Sequence, residues 1–535
     1  KSLYALFGIA ALVLLLASAN VANLLLARGL ARRREFAIRL AAGAARMRLV
    51  RQLVTETLLL FACGAIPGLA LAWMGVTVIK GMFAEGRRSI TVQANLDGRV
   101  LAFAAAVTLT AGLLAALFPA WRVFRSDLEQ VIREGGTRSS ESHAHSILRQ
   151  ALVACQVAIS LVLLVGAVTF VATLTKLRDL DPGFRNREAL TMSVELPQGY
   201  VQAGQSASVW NRVAAAVRDV PGVNSAGLAT YTPLSQRDRW RPVVFRGYLP
   251  ASSEDSIVHF DHVSEGYFET LGIPLIQGRL FTARDAESAP RVAVINQSAA
   301  RKFFAGRDPV GQVVTFDKLD FRIVGVVRDT KHNSLREPSV PFVFVPLRQP
   351  LYDHNRITLS VASVAPGAEA ALLGPIHSKL AEIDSGLMIS EVISVQRQID
   401  ATLLSERLLS GLSTAFGALA MLLAAVGLYG VLSYGIAQQR QSIGIRMALG
   451  ASPSSISRSV LRQSGLVVAG GMLFGLPCAL MTVRAADSLL WGVKPGNPMI
   501  YLLGSATLGL VALVSAWIPA RRASGIDPAV ALRHN

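Results

Sequence analysis

Charged residues are scarce in this 535-residue sequence. Only 16% of the residues are Asp, Glu, Lys or Arg, whereas 52% are hydrophobic. A soluble protein of this length rarely combines so little charge with so many apolar side chains, so the composition favours several membrane spans. The formal net charge of +18 does not indicate a nucleic-acid-binding protein. The arginines cluster beside apolar segments, as basic residues do at the ends of membrane spans.

Cysteine is rarer still. The three residues of this type, Cys63, Cys155 and Cys478, each lie within an apolar run. The long segment that we predict below to be extracytoplasmic contains none, which excludes a disulfide framework there. We therefore expect the three thiols to be buried as small hydrophobic side chains.

Catalytic motifs are absent as well. The sequence contains no GxxxxGK[ST] phosphate-binding loop, no HExxH and no GxSxG, so we predict a chain that is not an enzyme. His259, Asp261 and His262 have side chains that bind metals, but 262 would face away from 259 and 261 in a strand, and a further ligand would have to come from elsewhere. We predict no metal site and no cofactor in this chain.

The sequence contains several long stretches without a charged residue. A bilayer core takes about 20 apolar residues in a helix, which satisfies its own backbone hydrogen bonds. Seven stretches meet that length: 3–27, 57–79, 100–121, 150–175, 408–437, 463–483 and 499–520. We therefore predict a multispanning α-helical membrane protein with seven spans.

Arginines indicate the side of the membrane on which the connecting segments lie. Arg-rich segments follow the first, third, fifth and seventh stretches, and alternating spans place all four on one side. By the positive-inside rule that side is the cytoplasm. We predict a bacterial inner-membrane protein with a cytoplasmic C-terminus and a large periplasmic domain. The loop 81–99, with Arg87, Arg88 and Arg99, is then external and fits the rule less well.

The helical part of the sequence is duplicated. "EFAIRLAAGA" at 35–44 matches "SIGIRMALGA" at 442–451 with an offset of 407, and "FPAWRVFRSDLEQVIRE" at 118–134 matches "IPARRASGIDPAVALRH" at 518–534 with an offset of 400. Stretches one to three and five to seven are therefore two copies of one three-helix unit. Because a span and a soluble segment precede the second copy, we expect that such a pair also precedes the first copy, ahead of Lys1.

The soluble segment alternates strand-like and helix-like runs. Runs rich in β-branched or aromatic residues predict strands at 189–196, 241–248, 291–296, 321–327, 341–347 and 357–363, and helical spacing predicts helices at 206–220 and 368–383. A segment of about 220 residues can bury its own core, and we predict one α+β domain of two lobes. We also predict a helical stalk at 391–407, leading into the fifth span.

Each copy of the repeat carries a short amphipathic helix at its cytoplasmic side. Its recurrence at matching places favours a coupling helix that contacts a cytosolic ATPase; a helix resting on anionic lipid is the alternative. The predicted contact residues are Arg34, Glu35, Ile38, Arg39 and Gly43 in the first copy, and Arg440, Ile443, Ile445, Arg446 and Gly450 in the second. Ser452 and Pro453 then predict the start of the next helix.

Two GxxxG pairs recur at the same offset. Gly64 and Gly68 lie in the second stretch, and Gly471 and Gly475 lie in the sixth. This spacing predicts close packing between membrane helices. Asn20, with its neighbour Asn23, is predicted to form hydrogen bonds between helices rather than a substrate or ion site.

The motifs of these segments resemble two known domain families. "ANVANLLLARGLARRREFAIRLAAGA" (19–44), "QRQSIGIRMALGAS" (439–452) and "IPARRASGIDPAVALR" (518–533) resemble the FtsX-like permease domain. "DPGF" (181–184), "GYFETLGIPLIQGRLF" (266–281), "RVAVINQSAARKFF" (291–304) and "VGVVRDTKHNSLRE" (324–337) resemble the MacB periplasmic core domain. The duplication is similar to that of the duplicated (ADOP-type) permeases of the MacB/FtsX superfamily.

The resemblance implies a domain order. It places an FtsX-like permease unit at 1–134, a cytoplasmic linker at 135–148, a span and stalk helix at 149–177, a MacB-like periplasmic core domain at 178–400 and a second FtsX-like unit at 401–535. A complete duplicated member would have one more span and one more periplasmic domain than this chain.

The resemblance also implies a function. MacB-like permeases bind a separate cytosolic ATPase and convert its ATP-driven dimerisation into movement of the periplasmic domain. We therefore expect a permease subunit of an ABC transporter, acting in efflux or mechanotransmission. Its expected partners are a cytosolic ABC ATPase, which supplies the ATP hydrolysis, a periplasmic partner or membrane-fusion protein, and the lipid bilayer. The alternative is a transport-inactive scaffold or regulator that binds a cell-envelope protein.

Overall fold

The computed structural model describes residues 2–31, 39, 45–84, 97–125, 141–197, 199–200, 205–235, 239–246, 248–349, 351–365, 367–438, 440–449 and 451–524. These residues form two compact units. One is a unit of long helices, and the other is an α+β unit that comprises Leu177–Leu404. The division follows the change from apolar to mixed composition along the sequence.

Long helices make up the first unit. They are α1 (Ser2–Ala31), α2 (Arg46–Ala84), α3 (Gly98–Arg125), α4 (Glu141–Arg178), α10 (Leu404–Gln438), the short α11 (Arg440–Ala448), α12 (Pro453–Ala485) and α13 (Pro498–Ser524). Among the described residues, six helices are long and apolar enough to cross a membrane: α1, α2, α4, α10, α12 and α13. Gly98–Leu113 of α3 is a shorter apolar stretch. The membrane-helix architecture is confirmed, and a seventh span stays a prediction.

Helix α4 is the most buried of these helices. In its most apolar 18-residue window, 56% of the residues are buried, compared with 28% for α10 and for α12. Leu161 and Val165 of α4 are fully buried and pack with Leu428 of α10 and Leu508 of α13. Because lipid is as apolar as these side chains, the fit between helices holds them together more than hydrophobic burial does.

The three cysteines lie on the outside of the helical unit. Cys63, Cys155 and Cys478 are all exposed, so the expectation that they are buried is wrong. Helices that contact lipid are apolar on all sides. An apolar run therefore does not distinguish inward-facing positions from lipid-facing ones.

The α+β unit has twelve strands within the described residues. They are β1 (Leu190–Glu195), β2 (Val223–Ala229), β3 (Arg239–Pro242), β4 (Val244–Phe245), β5 (Ile257–Val263), β6 (Leu275–Gly278), β7 (Val292–Asn296), β8 (Val313–Phe316), β9 (Leu319–Val327), β10 (Phe342–Pro346), β11 (Arg356–Ser363) and β12 (Met388–Ser394). The helices are α5 (Ser206–Arg218), α6 (Tyr267–Leu271), α7 (Gln297–Phe304), α8 (Leu373–Ile383) and α9 (Val395–Thr402). Five of the six predicted strands and both predicted helices of this segment are confirmed, with ends shifted by a few residues. The strand predicted at 241–248 is instead divided between β3 and β4.

All twelve strands belong to one mixed sheet. Its order is β12-β1-β11-β2-β5-β10-β7-β9-β8-β4, with β3 beside β5 and β6 beside β9. The pairs β5–β10 and β7–β9 are parallel. Parallel neighbours need long connections, so the middle of the sheet joins segments that are far apart in the sequence.

Two hydrophobic clusters lie along this sheet. One surrounds Trp210 of α5 and includes Met192 of β1 and Leu359 of β11. The other surrounds Phe303 of α7, whose ring stacks on that of Phe245 at a centroid distance of 4.2 Å. The two predicted lobes are therefore not confirmed as separate bodies. A single sheet carries a core toward each of its ends.

The stretch 391–407 is not one helical stalk. Met388–Ser394 is β12, an edge strand that pairs antiparallel with β1. Ser394 then caps α9, and its side chain accepts a hydrogen bond from the backbone N–H of Arg397. Leu403 separates α9 from α10. The stalk prediction is wrong because strand pairing and a helix cap divide the segment.

A close backbone approach joins β2 to α6. A Cβ atom built on Gly227 would lie 2.4 Å from the Cα atom of Tyr267, whose side chain is buried. No side chain fits at such a separation unless the backbone shifts. Glycine at this position therefore allows the helix to lie directly on the strand.

We predict that Gly227→Ala destabilises the α+β unit by about 1–3 kcal/mol, because the added methyl group forces the strand and α6 apart. Gly374→Ala in α8 is the matched control. Nothing lies within 4 Å of its added Cβ, and alanine favours a helix over glycine by up to about 1 kcal/mol. Chemical unfolding of the purified chain, followed by tryptophan fluorescence, compares the two variants. Identical unfolding midpoints for Gly227→Ala and the parent chain would contradict the prediction.

Candidate functional site

The short helix α11 has two different faces. Ile443 is buried and packs with Ile456 of α12 and Ala523 of α13. Ile445 and Leu449, four residues apart, are 44% and 82% exposed. Residues at this spacing share one face of a helix. The helix is thus fixed to its neighbours through one face and presents an apolar pair on another.

Exposed basic side chains lie in α11 and in the helices that pack against it. Arg446, Arg458 and Arg462 are exposed, and the sequence contains no Asp or Glu between residues 407 and 486. The guanidinium group of Arg521 lies 5.5 Å from the centroid of the Trp517 ring. A surface with one sign of charge attracts partners of the opposite sign. The face of α11 is therefore suited to an acidic partner with apolar side chains.

The turn after α11 is the helix start that the sequence predicts. The side chain of Ser452 accepts a hydrogen bond from the backbone N–H of Ser455 at 3.3 Å, and Pro453 is the first residue of α12. Proline suits this position because the first N–H groups of a helix have no partner within it. Gly450 and the side chain of Arg440 lie outside the described residues.

In the first copy, Arg39 is the predicted coupling residue that the structure describes. It is exposed, and its Nη1 atom donates to Oε1 of Gln52 at 3.2 Å. Nε2 of Gln52 donates in turn to Oε1 of Glu56 at 2.9 Å. In the second copy, Ser459 and Gln463 occupy the positions of Gln52 and Glu56. Arg446, which corresponds to Arg39, therefore has different side chains at these two positions. The residues outside the described ranges are Arg34, Glu35, Ile38 and Gly43.

The two glycine pairs have different surroundings. A Cβ atom on Gly471 would lie 2.7 Å from the carbonyl oxygen of Ala154, and one on Gly475 would lie 2.9 Å from the Cα atom of Ala158. These glycines therefore bring α12 into backbone contact with α4. Nothing lies within 4 Å of a Cβ atom on Gly64 or Gly68. The same motif thus packs against a helix in the second copy and faces open space in the first.

Buried polar side chains connect α1 and α4 to α10. Nδ2 of Asn20 donates to the carbonyl oxygen of Leu423 at 3.3 Å, and Oγ of Ser160 donates to that of Ala420 at 3.2 Å. The hydrogen bond of Asn20 confirms the interhelical role predicted for it. Asn23 is buried as well.

The residues considered for a metal site lie in β5. Oδ1 of Asp261 accepts hydrogen bonds from the backbone N–H groups of Thr230 and Tyr231 at 3.1 and 3.3 Å. Burial raises the pKa of this carboxyl group well above its usual range. In the part of the chain that the structure describes, no group of three or more His, Cys, Asp or Glu residues is arranged to hold a metal ion.

His262 is paired with another histidine instead. Its Nδ1 atom lies 3.1 Å from Nε2 of His354, and its Nε2 atom accepts from the backbone N–H of Leu351 at 3.4 Å. Because Nε2 accepts, Nδ1 carries the proton and donates it to His354. Burial lowers the pKa of His262 well below its usual range and that of His354 to about 4. Both rings are therefore neutral near pH 7. Sequence reasoning missed this pair because no local pattern links residues 92 positions apart.

Two motifs of the α+β unit lie in a loop and at the start of a helix. In "DPGF", Gly183 has a φ of +90°, and its backbone N–H donates to Oδ1 of Asp181 at 2.9 Å. The carboxylate of Asp181 pairs with Arg328 at 2.9 Å. In "INQS", Asn296 caps α7 by accepting from the backbone N–H of Ala299 at 2.9 Å. These motif residues stabilise loops and a helix end.

Two family models match the chain. The model of the MacB-like periplasmic core domain matches residues 151–373, and that of the FtsX-like permease C-terminal region matches residues 7–128 and 414–528. The two FtsX-like matches coincide with the two copies of the repeat. Paired membrane-helix units with an α+β domain between them define a permease of the ABC transporter class. Within that class, the chain belongs to the FtsX-like permeases that carry a MacB-like periplasmic core domain.

Curated proteins of several bacteria are similar to the chain. It is 26% identical over 275 residues to the "Pyoverdine export ATP-binding/permease protein PvdT" of Pseudomonas aeruginosa. It is 29% identical over 288 residues to the "Macrolide export ATP-binding/permease protein MacB" of Agrobacterium fabrum. The matches cover 49% and 50% of this chain but 40% and 42% of those relatives. The chain therefore spans less than half the length of the relatives it matches.

A solved structure also aligns with part of the chain. The periplasmic region of MacB from Actinobacillus actinomycetemcomitans covers 41% of this chain and 94% of its own length, with 21% identity and a TM-score of 0.28. At that TM-score the likeness adds nothing to the fold described above.

Because the pKa of His354 is lowered, we predict that the folded chain becomes less stable in acid. The folded chain keeps His354 neutral down to about pH 4, whereas the unfolded chain takes up the proton near pH 6.5. Stability is therefore lost as the pH falls from 6.5 to 4, by about 3 kcal/mol for a shift of this size. His354→Gln keeps a hydrogen-bonding partner for His262 but does not titrate, so it should lose less stability over this range.

Urea unfolding of the parent chain and His354→Gln at pH 7, 6, 5 and 4 measures the difference. Comparing the two proteins cancels the contribution of Asp261, whose raised pKa acts in the opposite direction. Parallel curves of stability against pH would show that His354 does not contribute.

Proposed function

We propose that this chain is a non-catalytic permease subunit that couples a partner ABC ATPase to movement of its α+β domain. The proposal rests on α11, which is fixed to α12 and α13 through Ile443 and leaves Ile445, Arg446 and Leu449 exposed. A partner that binds the exposed face and moves α11 would therefore also move α12 and α13. A helix that merely rested on lipid would have no need of a buried anchor in the bundle.

Helix α10 provides a direct path for this movement. Its 35 residues run from Leu404 to Gln438, and α11 begins at Arg440. At 1.5 Å per residue the helix is about 52 Å long, which exceeds the hydrocarbon core of about 30 Å. At its other end, Leu403 alone separates it in the chain from α9 of the α+β unit. In this proposal a displacement of α11 is passed along one continuous helix to the C-terminal end of that unit.

In this proposal the energy comes from a separate ATPase subunit. The sequence has no phosphate-binding loop, whereas the printed names of the relatives combine an ATP-binding part with a permease. We propose that the arginine-rich ends of the helices face the cytoplasm of a bacterial inner membrane, where such an ATPase is found. The α+β domain then acts in the periplasm on a partner such as a membrane-fusion protein, in export or in mechanical signalling.

The two copies would not contribute equally to ATPase binding. Arg39 is already engaged by Gln52 at 3.2 Å, so a partner has to compete with that hydrogen bond. We therefore expect the surface around Arg446 to contribute more to the contact than the surface around Arg39.

We predict that Arg446→Glu weakens binding of an ABC ATPase that co-purifies with the chain by about tenfold or more, because it places a negative charge against an acidic partner. Arg39→Glu should have a smaller effect. Arg484→Glu is the matched control, since it makes the same charge change at the opposite end of α12. Binding to the reconstituted chain and stimulation of ATP hydrolysis are measured together. Unchanged binding by Arg446→Glu, or an equal loss with Arg484→Glu, would refute the coupling role.

A further inference from the structure

Two arginines of the α+β unit lie on one face of strand β3. Arg239 and Arg241 are two residues apart in this strand, so they share a face, whereas Trp240 between them is exposed on the other. Pairing with β5 places Arg239 opposite Phe260 and Arg241 opposite Val258, and both of these partners are buried. The two arginines are themselves half-buried. They therefore lie at the margin of an apolar core, where solvent still reaches them.

One aromatic ring contacts both guanidinium groups. The Cζ atoms of Arg239 and Arg241 each lie 5.3 Å from the centroid of the Tyr352 ring. A cation at this distance from a ring is attracted to its face. The hydroxyl group of Tyr352 donates a hydrogen bond to the carboxylate of Asp317, which fixes the ring in place. The ring thus brings two positive charges close to one another.

These arginines lack the acidic partner that other arginines of the unit have. Arg279, for example, pairs with Asp285 at 2.8 Å. In the part of the chain that the structure describes, neither Arg239 nor Arg241 forms an ion pair, and the Nε atom of Arg241 is buried without a hydrogen-bond acceptor. A buried donor of a charged group costs free energy when it has no acceptor. The arrangement therefore favours an acceptor that comes from outside the chain.

The carboxylates of this region have other partners. Asp317 accepts from the tyrosine hydroxyl, and Asp353 accepts from Oγ of Ser206. The pKa of His354 is lowered chiefly by burial, and the charge of Arg239 lowers it further by more than Asp353 raises it. Positive charge thus outweighs negative charge at this point of the unit, as it does at sites that attract anions.

We propose that Arg239 and Arg241 bind an oxyanion, which is a phosphate or a carboxylate group of a ligand of the α+β unit. A guanidinium group presents a planar fork of N–H donors that matches two oxygens of such a group. The bound oxyanion accepts from the buried Nε–H of Arg241 and neutralises both positive charges. An uncharged ligand fits less well, because it leaves the two charges uncompensated. The proposed coupling to an ATPase does not require this site, so the inference goes beyond that function.

Equilibrium dialysis tests the proposal with two probes, radiolabelled inorganic phosphate and radiolabelled acetate. The full 535-residue chain is held in maltoside micelles, which carry neither group. We expect saturable binding of at least one probe, with one anion per chain, and the probe that binds identifies the group as phosphate or carboxylate. Arg239→Gln and Arg241→Gln should each weaken this binding by about tenfold or more, because each removes a charged donor.

Arg246→Gln is the matched control. This arginine is exposed and directly follows β4, so its substitution removes the same charge nearby and should leave binding unchanged. The anion should also raise the unfolding temperature of the parent chain and of Arg246→Gln, but not that of the other two variants. This measurement also identifies a variant that has not folded, and the parent chain is then compared with and without anion at equal ionic strength, set with sodium chloride.

The proposal is overturned if neither probe binds saturably, or if the parent chain gains no more stability from the anion than from sodium chloride. It is also overturned if folded Arg239→Gln and Arg241→Gln bind the anion as tightly as Arg246→Gln does. The dialysis needs no ATPase, so its result is independent of the coupling function.

Discussion

The contact between α4 and the glycines of α12 and α13 is the constraint on which the helical unit depends. Inside a membrane no hydrophobic force drives helices together, so their association relies on close fit. Gly471, Gly475 and Gly504 provide that fit by allowing α4 to lie against backbone. In chain order α4 precedes the α+β unit and α10 follows it. Helix α4 also contacts α10, where Oγ of Ser160 donates to the carbonyl oxygen of Ala420, so the helices through which the chain enters and leaves that unit are held to each other.

The α+β unit is built to behave as one body. Its strands form a single sheet, and parallel pairs at β5–β10 and β7–β9 join distant segments. Two of its buried polar side chains have defined partners, Asp261 with two backbone N–H groups and His262 with His354. A single sheet with such buried polar contacts favours one defined arrangement of the unit. That property suits the mechanical role proposed for the chain.

Local sequence patterns predicted the helices and strands of this fold better than they predicted which other elements each of them contacts. β-branched runs such as 357–363 and the amphipathic helix 206–220 were identified because periodicity reflects burial of one face. The strand β12 was missed because its partner β1 lies about 200 residues away, and only pairing makes 388–394 extended. The exposure of Cys155 was missed because lipid-facing and buried positions are equally apolar.

The candidate sites show the same limit. Gly64 and Gly471 have the same motif and the same place in the repeat, yet one faces a groove and the other touches Ala154. No local signal distinguishes them, because the difference lies in which helix is present next to them. Likewise, the sequence places Ile443 and Ile445 in the same amphipathic helix, but the packing of Ile456 and Ala523 decides which of them is buried.

The proposed function requires that a force applied to α11 on one side of the membrane reaches an α+β unit on the other. Labelling of single cysteines with a membrane-impermeant thiol reagent, after replacement of the native cysteines, tests it most directly. Leu249 and Leu449 are suitable positions, because they are 94% and 82% exposed. We expect Leu249→Cys to react in right-side-out vesicles and Leu449→Cys to react in inverted vesicles. Reaction of both cysteines from the same side would contradict the account.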